Sequence, residues 1–390
     1  MTAKLGLFMQ TECQIESNTP YYVYQLILLS LLLFPTSIVL AFDINPFKEY
    51  NGGAELVHTF EQPAAEILVS SIINPVHEEL TIKTLFFVRD TRMPGYELID
   101  DNLIRKVIRG VRWNDDPLNF LPDNPRQWLL NFEHASKITD RINENFDLFY
   151  RSHHADLQFL HAMASSEDES AQFTRAAIMS WIEFTYKVAS GYIPVHTPFK
   201  QLHNYLSPKT SLVFKNFFTQ NGRRLNWTPA YLFSLKCTRE VVLPSTFEAL
   251  DCSQTTWLPN KQDIQNIALG SLLHVIQDSF SDSHVTRNPD YDGNYSLIHG
   301  RSAIQTFNTY KKQSIRLHRG ADSYPQDMDQ PPMQSGFNLE EVSAEVISYV
   351  LSDRTRPRNK NRQALVNSKL RKGIFHLLDP NATAGSGKYK

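Results

Sequence analysis

The sequence predicts an all-α fold, a multi-helix domain with one small, partly β insertion. Three observations point there. Apolar residues recur at helical spacing in separate stretches, such as Ile104, Val107, Ile108 and Val111, or Ile178, Trp181, Ile182 and Val188. The stretch from Leu269 to Phe280 is apolar on nearly every side, as a helix at the centre of a core must be. Strand signals concentrate in one place, Asn221-Gly222 between Phe214–Phe218 and Leu225–Trp227. With 390 residues, 42% of them hydrophobic, the chain can bury a sizeable core. A formal net charge of −2 excludes a global field drawing it to nucleic acid or anionic lipid.

Residues 1–41 read as a leader and 42–390 as the helical domain. Tyr21–Phe42 is an apolar run whose core, Leu26 to Phe34, has the length of a signal-peptide centre, with Val39-Leu40-Ala41 as the cleavage region. Export and a secreted protein are expected. No Lys or Arg lies between Lys4 and Lys48, and the full run is long enough for the alternative, an anchor spanning a bilayer. Cleavage would leave two cysteines, Cys237 and Cys252, whose bridge would stabilise by about 3 kcal/mol.

Pro75 to Thr81 opens a helix with Glu78 and Glu79 in its first turn, where the helix dipole favours them. His77-Glu78 begins like a metalloprotease H-E-x-x-H motif, but Thr81 holds the fifth position and the motif is absent. Asp101 is the expected cap of the helix through Val111, and Trp113-Asn114-Asp115-Asp116-Pro117 follows it. Arg151 to Met163 carries His153, His154 and His161; His154 and His161, seven apart, would share a helix face. Glu167 to Ser190 is a long helix stopped by Gly191. Residues 192–259, holding both cysteines, read as the insertion. Arg301 to Asp322 is expected to be helical through Ile304, Phe307 and Tyr310. The tail, 323–390, reads as helical and basic: Arg354 to Lys372 has eight basic residues and no acidic one, a solvated face or a contact for anionic phosphate or lipid.

The chemistry concentrates at Leu269–Arg287. His274 and Asp278 are one turn apart and leave the same helix face, and His284 follows six residues later. Imidazole and carboxylate converging on an apolar helix suit zinc, which takes His nitrogen and Asp oxygen and compensates buried charge. A satisfied core His–Asp pair is the plainer alternative. His318 and Asp322 repeat the one-turn spacing.

His274-x3-Asp278 with His284, Trp113-Asn114-Asp115 and Gln158-Phe159-Leu160-His161 together resemble the zinc-dependent phospholipase C family. Clostridial alpha-toxin and bacterial phosphatidylcholine-hydrolysing enzymes belong to that family, and fungal single-strand-specific zinc nucleases share its fold. The resemblance implies two or three zinc ions. Asp115, His161, His274 and Asp278 would surround one; His284, His318 and Asp322 would hold a second; His77 and a bridging Asp278 would contribute to a third. His154 rivals His161 in this set. His299 rivals His318, although Ala303 stands where its acidic partner would be. The family completes its third site with an N-terminal Trp, and no Trp precedes Trp113 here.

The activity so implied is hydrolysis of the glycerol-phosphate ester of phospholipids such as phosphatidylcholine, with Asp115 as both ligand and base. A monomer working at a phospholipid membrane surface, with no stable nucleic-acid partner, is expected. One alternative is a zinc-dependent single-strand nuclease, which would favour aromatic stacking platforms and a basic groove. Another is a non-catalytic helical interaction module with core histidines and no tightly bound zinc.

Overall fold

The computed structural model describes residues 45, 48–53, 56–58, 75–119, 128, 147–218, 224–235, 238–239, 250–251, 259–287, 303–311, 313–314, 317–318, 321, 339–355 and 360–389. All of them fall in one unit, Ile38–Lys390. In chain order the elements are β1 (Lys48–Tyr50), β2 (Leu56–His58), α1 (Val76–Asp90), α2 (Asp101–Trp113), α3 (Asp147–His154) and α4 (Ala171–Ala189). They continue as α5 (Pro208–Phe218), α6 (Pro229–Phe233), β3 (Thr238–Arg239), β4 (Leu250–Asp251), α7 (Lys261–Asp278), β5 (Val285–Arg287), β6 (Ile304–Phe307), α8 (Leu339–Thr355) and α9 (Lys360–Lys372). The structure is mostly helical. Among the described residues the strands form three separate two-stranded antiparallel ladders, β1–β2, β3–β4 and β5–β6.

Helix α7 is the axis. It is buried from Asp263 to Asp278 and packs against α2, α4 and α8. Asn260 starts it by accepting a hydrogen bond from the Asp263 N–H at 2.9 Å. Its approach to α2 is backbone on backbone: a Cβ on Gly270 would stand 2.1 Å from the Val107 carbonyl oxygen, and one on Gly110 would stand 2.2 Å from that of Ile267. On the other side, Trp181 of α4 stacks on Trp113 of α2 at 5.5 Å and on Phe218 of α5 at 5.2 Å.

Several local expectations are corrected. Asp100, not Asp101, caps α2, accepting from the Leu103 N–H at 2.7 Å. No strand forms over Phe214–Phe218, which is the last turn of α5. The Ser207-Pro208 pair starts that helix: Ser207 Oγ accepts from the Thr210 N–H, and proline suits the first helical position. Asn221-Gly222 lies outside the described residues. Ile304–Phe307, expected to be helical, is the strand β6. It pairs with β5 on one side and bonds the C-terminal segment on the other, through Ile304 N–H to His376 O and Leu378 N–H to Ile304 O. Those long-range partners override a local spacing that fits a helix equally well.

The described residues of 192–235 form 3₁₀ and α-helical turns, with β3–β4 the only strands described in 192–259. Cys237 and Cys252 lie outside the described residues; their sequence neighbours, Thr238 and Asp251, face each other in the β3–β4 ladder. Part of the basic tail is engaged internally. Arg354 donates to Ala189 O and Asn266 Oδ1, Arg362 pairs with Asp353 at 2.6 Å, and Lys369 pairs with Glu345. Among the described residues no helix is long and apolar enough to cross a membrane, and the apolar run Tyr21–Phe42 lies outside them.

Candidate metal centre

The last turn of α7 presents His274 and Asp278 side by side, with Nε2 and Oδ2 at 2.9 Å. Asn114, between Trp113 and Asp115, fixes what meets them. Its amide donates to Leu160 O at 2.7 Å, its carbonyl accepts from Ser271 Oγ at 2.6 Å, and Trp181 Nε1 donates to the same hydroxyl oxygen at 3.2 Å. These bonds tie the end of α2 to α7 and to the 3₁₀ segment Gln158–His161. Asp115 and His161 are thereby set against the end of α7. Asp115 Oδ1 lies 3.7 Å from His161 Nδ1, and Oδ2 lies 3.8 Å from His274 Nδ1.

His77 arrives from the first turn of α1. Its Nδ1–H donates to Gln277 Oε1 at 2.6 Å, and Gln277 is itself oriented by donating to Thr81 Oγ1 at 3.0 Å. That leaves Nε2 turned to Asp278 Oδ1 at 3.3 Å, while the ring stacks on His274 with centroids 4.0 Å apart. His274 Nδ1–H donates to Val111 O at 2.7 Å, and His284 Nδ1–H to His161 O at 2.7 Å. Each ring's tautomer is thus fixed by an oxygen acceptor on the far side, the arrangement that orients imidazole ligands of metals.

Helix α1 also holds the chain that precedes it. Glu78 Oε1 accepts from the Asn45 N–H and from Arg112 Nε, both at 2.8 Å, while Arg112 donates to the carbonyls of Asn45 and Lys48. Asn45 is therefore fastened beside the turn that carries His77, although 32 residues of sequence separate them.

The donors could hold a metal ion. His161 Nδ1, His274 Nε2 and Asp278 Oδ2 form a triangle with edges of 2.9, 3.1 and 3.1 Å. Donors bound tetrahedrally at 2.0–2.2 Å from one zinc stand about 3.3–3.6 Å apart, so a small contraction separates the two. His161 Nε2 and Asp278 Oδ1 are buried and make no hydrogen bond. Groups of three donors with every ligand atom within 4.8 Å of the others occur as His77–Asp115–His274, Asp115–His153–His161 and His161–His274–Asp278.

The structure brings together His77, Asp115, His161, His274 and Asp278. His284 joins at the edge, its Nδ1 3.7 Å from Asp278 Oδ2, and its ring stacks on His318 at 5.1 Å. His318 is oriented by Gln313 Oε1 as His77 is by Gln277. Asp322 and His299 lie outside the described residues. His154 and His161 do not share a helix face: α3 ends at His154, and a hook built on Arg151 reverses the chain. The fully buried Arg151 guanidinium pairs with Asp156 at 2.6 and 2.8 Å and donates to Phe217 O, while its carbonyl accepts from Leu157 N–H. His153 rather than His154 then faces Asp115, at 3.9 Å. Sequence reasoning missed His153, Gln277 and Gln313. The adjacent pair His153-His154 signalled that one imidazole of the two turns inward, and helical periodicity pointed to the wrong one.

Burial dominates the protonation of the cluster. It drives His274 down to about 3, against the pull of Asp278, and His154 down to about 4; His153 and His161 are lowered too. For Asp278 burial acts upward, but His274 and His284 together with the imidazole hydrogen bonds outweigh it and hold the carboxyl well below its ordinary range. An imidazole with a depressed folded pKa binds its proton more weakly in the folded than in the unfolded chain. Its contribution is present above pH 6.5 and lost as pH falls toward the folded value. Ion-free protein is therefore expected to lose stability from pH 6.5 down to about 3, by up to about 1.4 kcal/mol per pH unit for each such group. Denaturant unfolding in chelator at pH 7 and pH 5 measures this. His154→Gln should flatten the slope between pH 6.5 and 4.

Comparison of the chain with protein-family models, with curated proteins and with solved structures returned no match in any of the three.

Proposed function

We propose that the chain is a zinc-dependent phosphodiesterase of the phospholipase C type, cleaving the glycerol-phosphate ester of phospholipids such as phosphatidylcholine. One observation carries this reading: carboxylates Asp115 and Asp278 stand among buried imidazoles from four separate segments, with the tautomers of His77, His274 and His284 fixed by oxygen acceptors behind the rings. When bound, paired zinc ions acidify water and neutralise charge developing on phosphoryl oxygens. The chain's own contribution is placement. Asp278 meets His161 Nδ1 and His274 Nε2 through Oδ2 and His77 Nε2 through Oδ1, which keeps three segments in register. Asp115, flanked by His153, His161 and His274 at 3.7–3.9 Å, is the carboxylate placed to accept a proton from an attacking water at one of its oxygens. The near-neutral net charge favours a lipid ester over a polyanionic strand as substrate.

Burial supports a second reading. His77, Asp115, His161, His274 and Asp278 are each at most 3% exposed, and closed sites are the habit of structural zinc, whereas catalytic sites keep a position open. One experiment separates the two. Full-length protein is assayed for zinc by elemental analysis, then for phosphocholine release from phosphatidylcholine vesicles and for single-stranded DNA cleavage, before and after chelation. Two or three equivalents of zinc, with lipid hydrolysis lost on chelation and circular dichroism retained, is the expected result. Unfolding on chelation without prior activity supports the structural reading, DNA cleavage alone supports the nuclease, and folded protein without zinc overturns both metal readings.

A further inference from the structure

His153 belongs to none of the three zinc sites that the resemblance implies, yet it is held as their histidines are. His77, His274 and His284 each donate from Nδ1 to an oxygen, and His77 and His274 turn Nε2 to Asp278. At the end of α3, His153 Nδ1–H donates to Phe149 O at 3.0 Å, and Ser152 Oγ lies 3.0 Å from the same nitrogen. Ser152 Oγ donates in turn to Phe149 O at 3.1 Å, which leaves its lone pairs for the imidazole N–H. The proton is thus on Nδ1 and the lone pair on Nε2. That lone pair lies 3.9 Å from Asp115 Oδ1, the oxygen that also faces His161 Nδ1 at 3.7 Å.

A cation between an imidazole lone pair and a carboxylate oxygen so placed would be bound by both. The rings of His153 and His161 stand 4.9 Å apart, centroid to centroid, and the donor atoms of Asp115, His153 and His161 all lie within 4.8 Å of one another. Two imidazole nitrogens and a carboxylate oxygen are a zinc-class donor set. The placement is held as well: the pairing of buried Arg151 with the partly exposed Asp156 bends the chain after His154, and Phe149 packs its ring 5.1 Å from that of His153.

We propose that His153 is a metal ligand, holding a zinc-class divalent cation with Asp115 and His161 beside the His161–His274–Asp278 triangle. On this side Asp115 presents Oδ1 to His153 and His161, while Oδ2 lies 3.8 Å from His274 Nδ1, the nitrogen that donates to Val111 O. The inference rests on the metal-centre reading and adds a ligand to it: His161 Nδ1 faces both this group and the triangle, and its one lone pair binds one ion at a time.

The test titrates ion-free full-length protein with Zn2+ against a chromophoric chelator, and with Co2+ followed by its visible absorption. The parent is compared with His153→Asn, whose amide can keep the donor to Phe149 O while Nε2 is lost, and with His154→Asn as control. His153→Asn is expected to lose one equivalent or to hold it at least about tenfold more weakly, with a weaker cobalt spectrum; His154→Asn should match the parent. Unchanged stoichiometry, affinity and spectrum in His153→Asn overturn the proposal while the parent's zinc leaves the wider reading intact. A parent that binds no zinc overturns both. Anomalous diffraction at the zinc edge from parent crystals grown with zinc makes the test independent of how the variant folds. A zinc peak about 2.0–2.1 Å from His153 Nε2 is expected, and zinc elsewhere with none at His153 overturns the assignment.

Discussion

Asp278→Asn is expected to empty the centre. The carboxylate lies 2.9 Å from His274, 3.1 Å from His161, 3.3 Å from His77 and 3.7 Å from His284, so it is in contact with all four imidazoles. Changes to groups that merely orient metal ligands cost about 10–100-fold in affinity, so loss of a shared ligand should cost at least about 100-fold. The amide is isosteric, and it removes a buried charge whose desolvation is unfavourable. The surrounding imidazoles outweigh that cost and hold the carboxyl well below its ordinary range, so the chelated variant should unfold at a lower denaturant concentration than the chelated parent. Zinc at 100 times the parent's Kd should stabilise the parent by about 2.7 kcal/mol and the variant by at most about 0.4 kcal/mol. Thermal unfolding with and without zinc reads this directly. If zinc shifts neither protein, His274–Asp278 is a core pair and the helical-module reading takes over.

Signals that lie within one helix were legible in the sequence. The apolar surround of His274, the one-turn step to Asp278 and the stripe of α2 are local, and α7 and α2 form where those patterns stand. Signals that depend on a change of chain direction were not. His153 comes to Asp115 only because Arg151 bends the chain back through Asp156 and Leu157, contacts that no periodicity announces. Ile304–Phe307 has helical spacing but sits between β5 and the C-terminal segment, and pairing on both edges decides its conformation. Gln277 and Gln313 resemble ordinary polar residues until the imidazoles they orient are seen. The Asn114 clamp is a third kind: its bonds run to Leu160 and Ser271, far along the chain, yet they set the position of its neighbour Asp115.

Gly270→Ala should be the most damaging single change outside the donors, and helix propensity predicts the opposite sign. Alanine in a helix interior is favoured over glycine by about 1 kcal/mol, so on local grounds the substitution stabilises. Packing decides otherwise. The new methyl would stand 2.1 Å from Val107 O and 2.6 Å from both the Cα and the carbonyl carbon of Gly110. These are backbone atoms of α2, which no rotamer change can move, so the two helices must separate by an ångström or more. Overpacking a core costs about 1–3 kcal/mol when side chains can adjust, and a backbone clash belongs at or above the top of that range. The function feels the same shift, because Asp115 is carried at the end of α2 and His274 and Asp278 at the end of α7. Separation of the helices withdraws one carboxylate from the other donors. Denaturant unfolding of ion-free protein should show a loss of at least about 3 kcal/mol, with weaker zinc binding wherever the variant still folds. Gly110→Ala, whose methyl would stand 2.2 Å from Ile267 O, should behave alike. Were either alanine variant more stable than the parent, the close approach of α2 to α7 would be wrong, and the construction of the metal centre on it would fall with it.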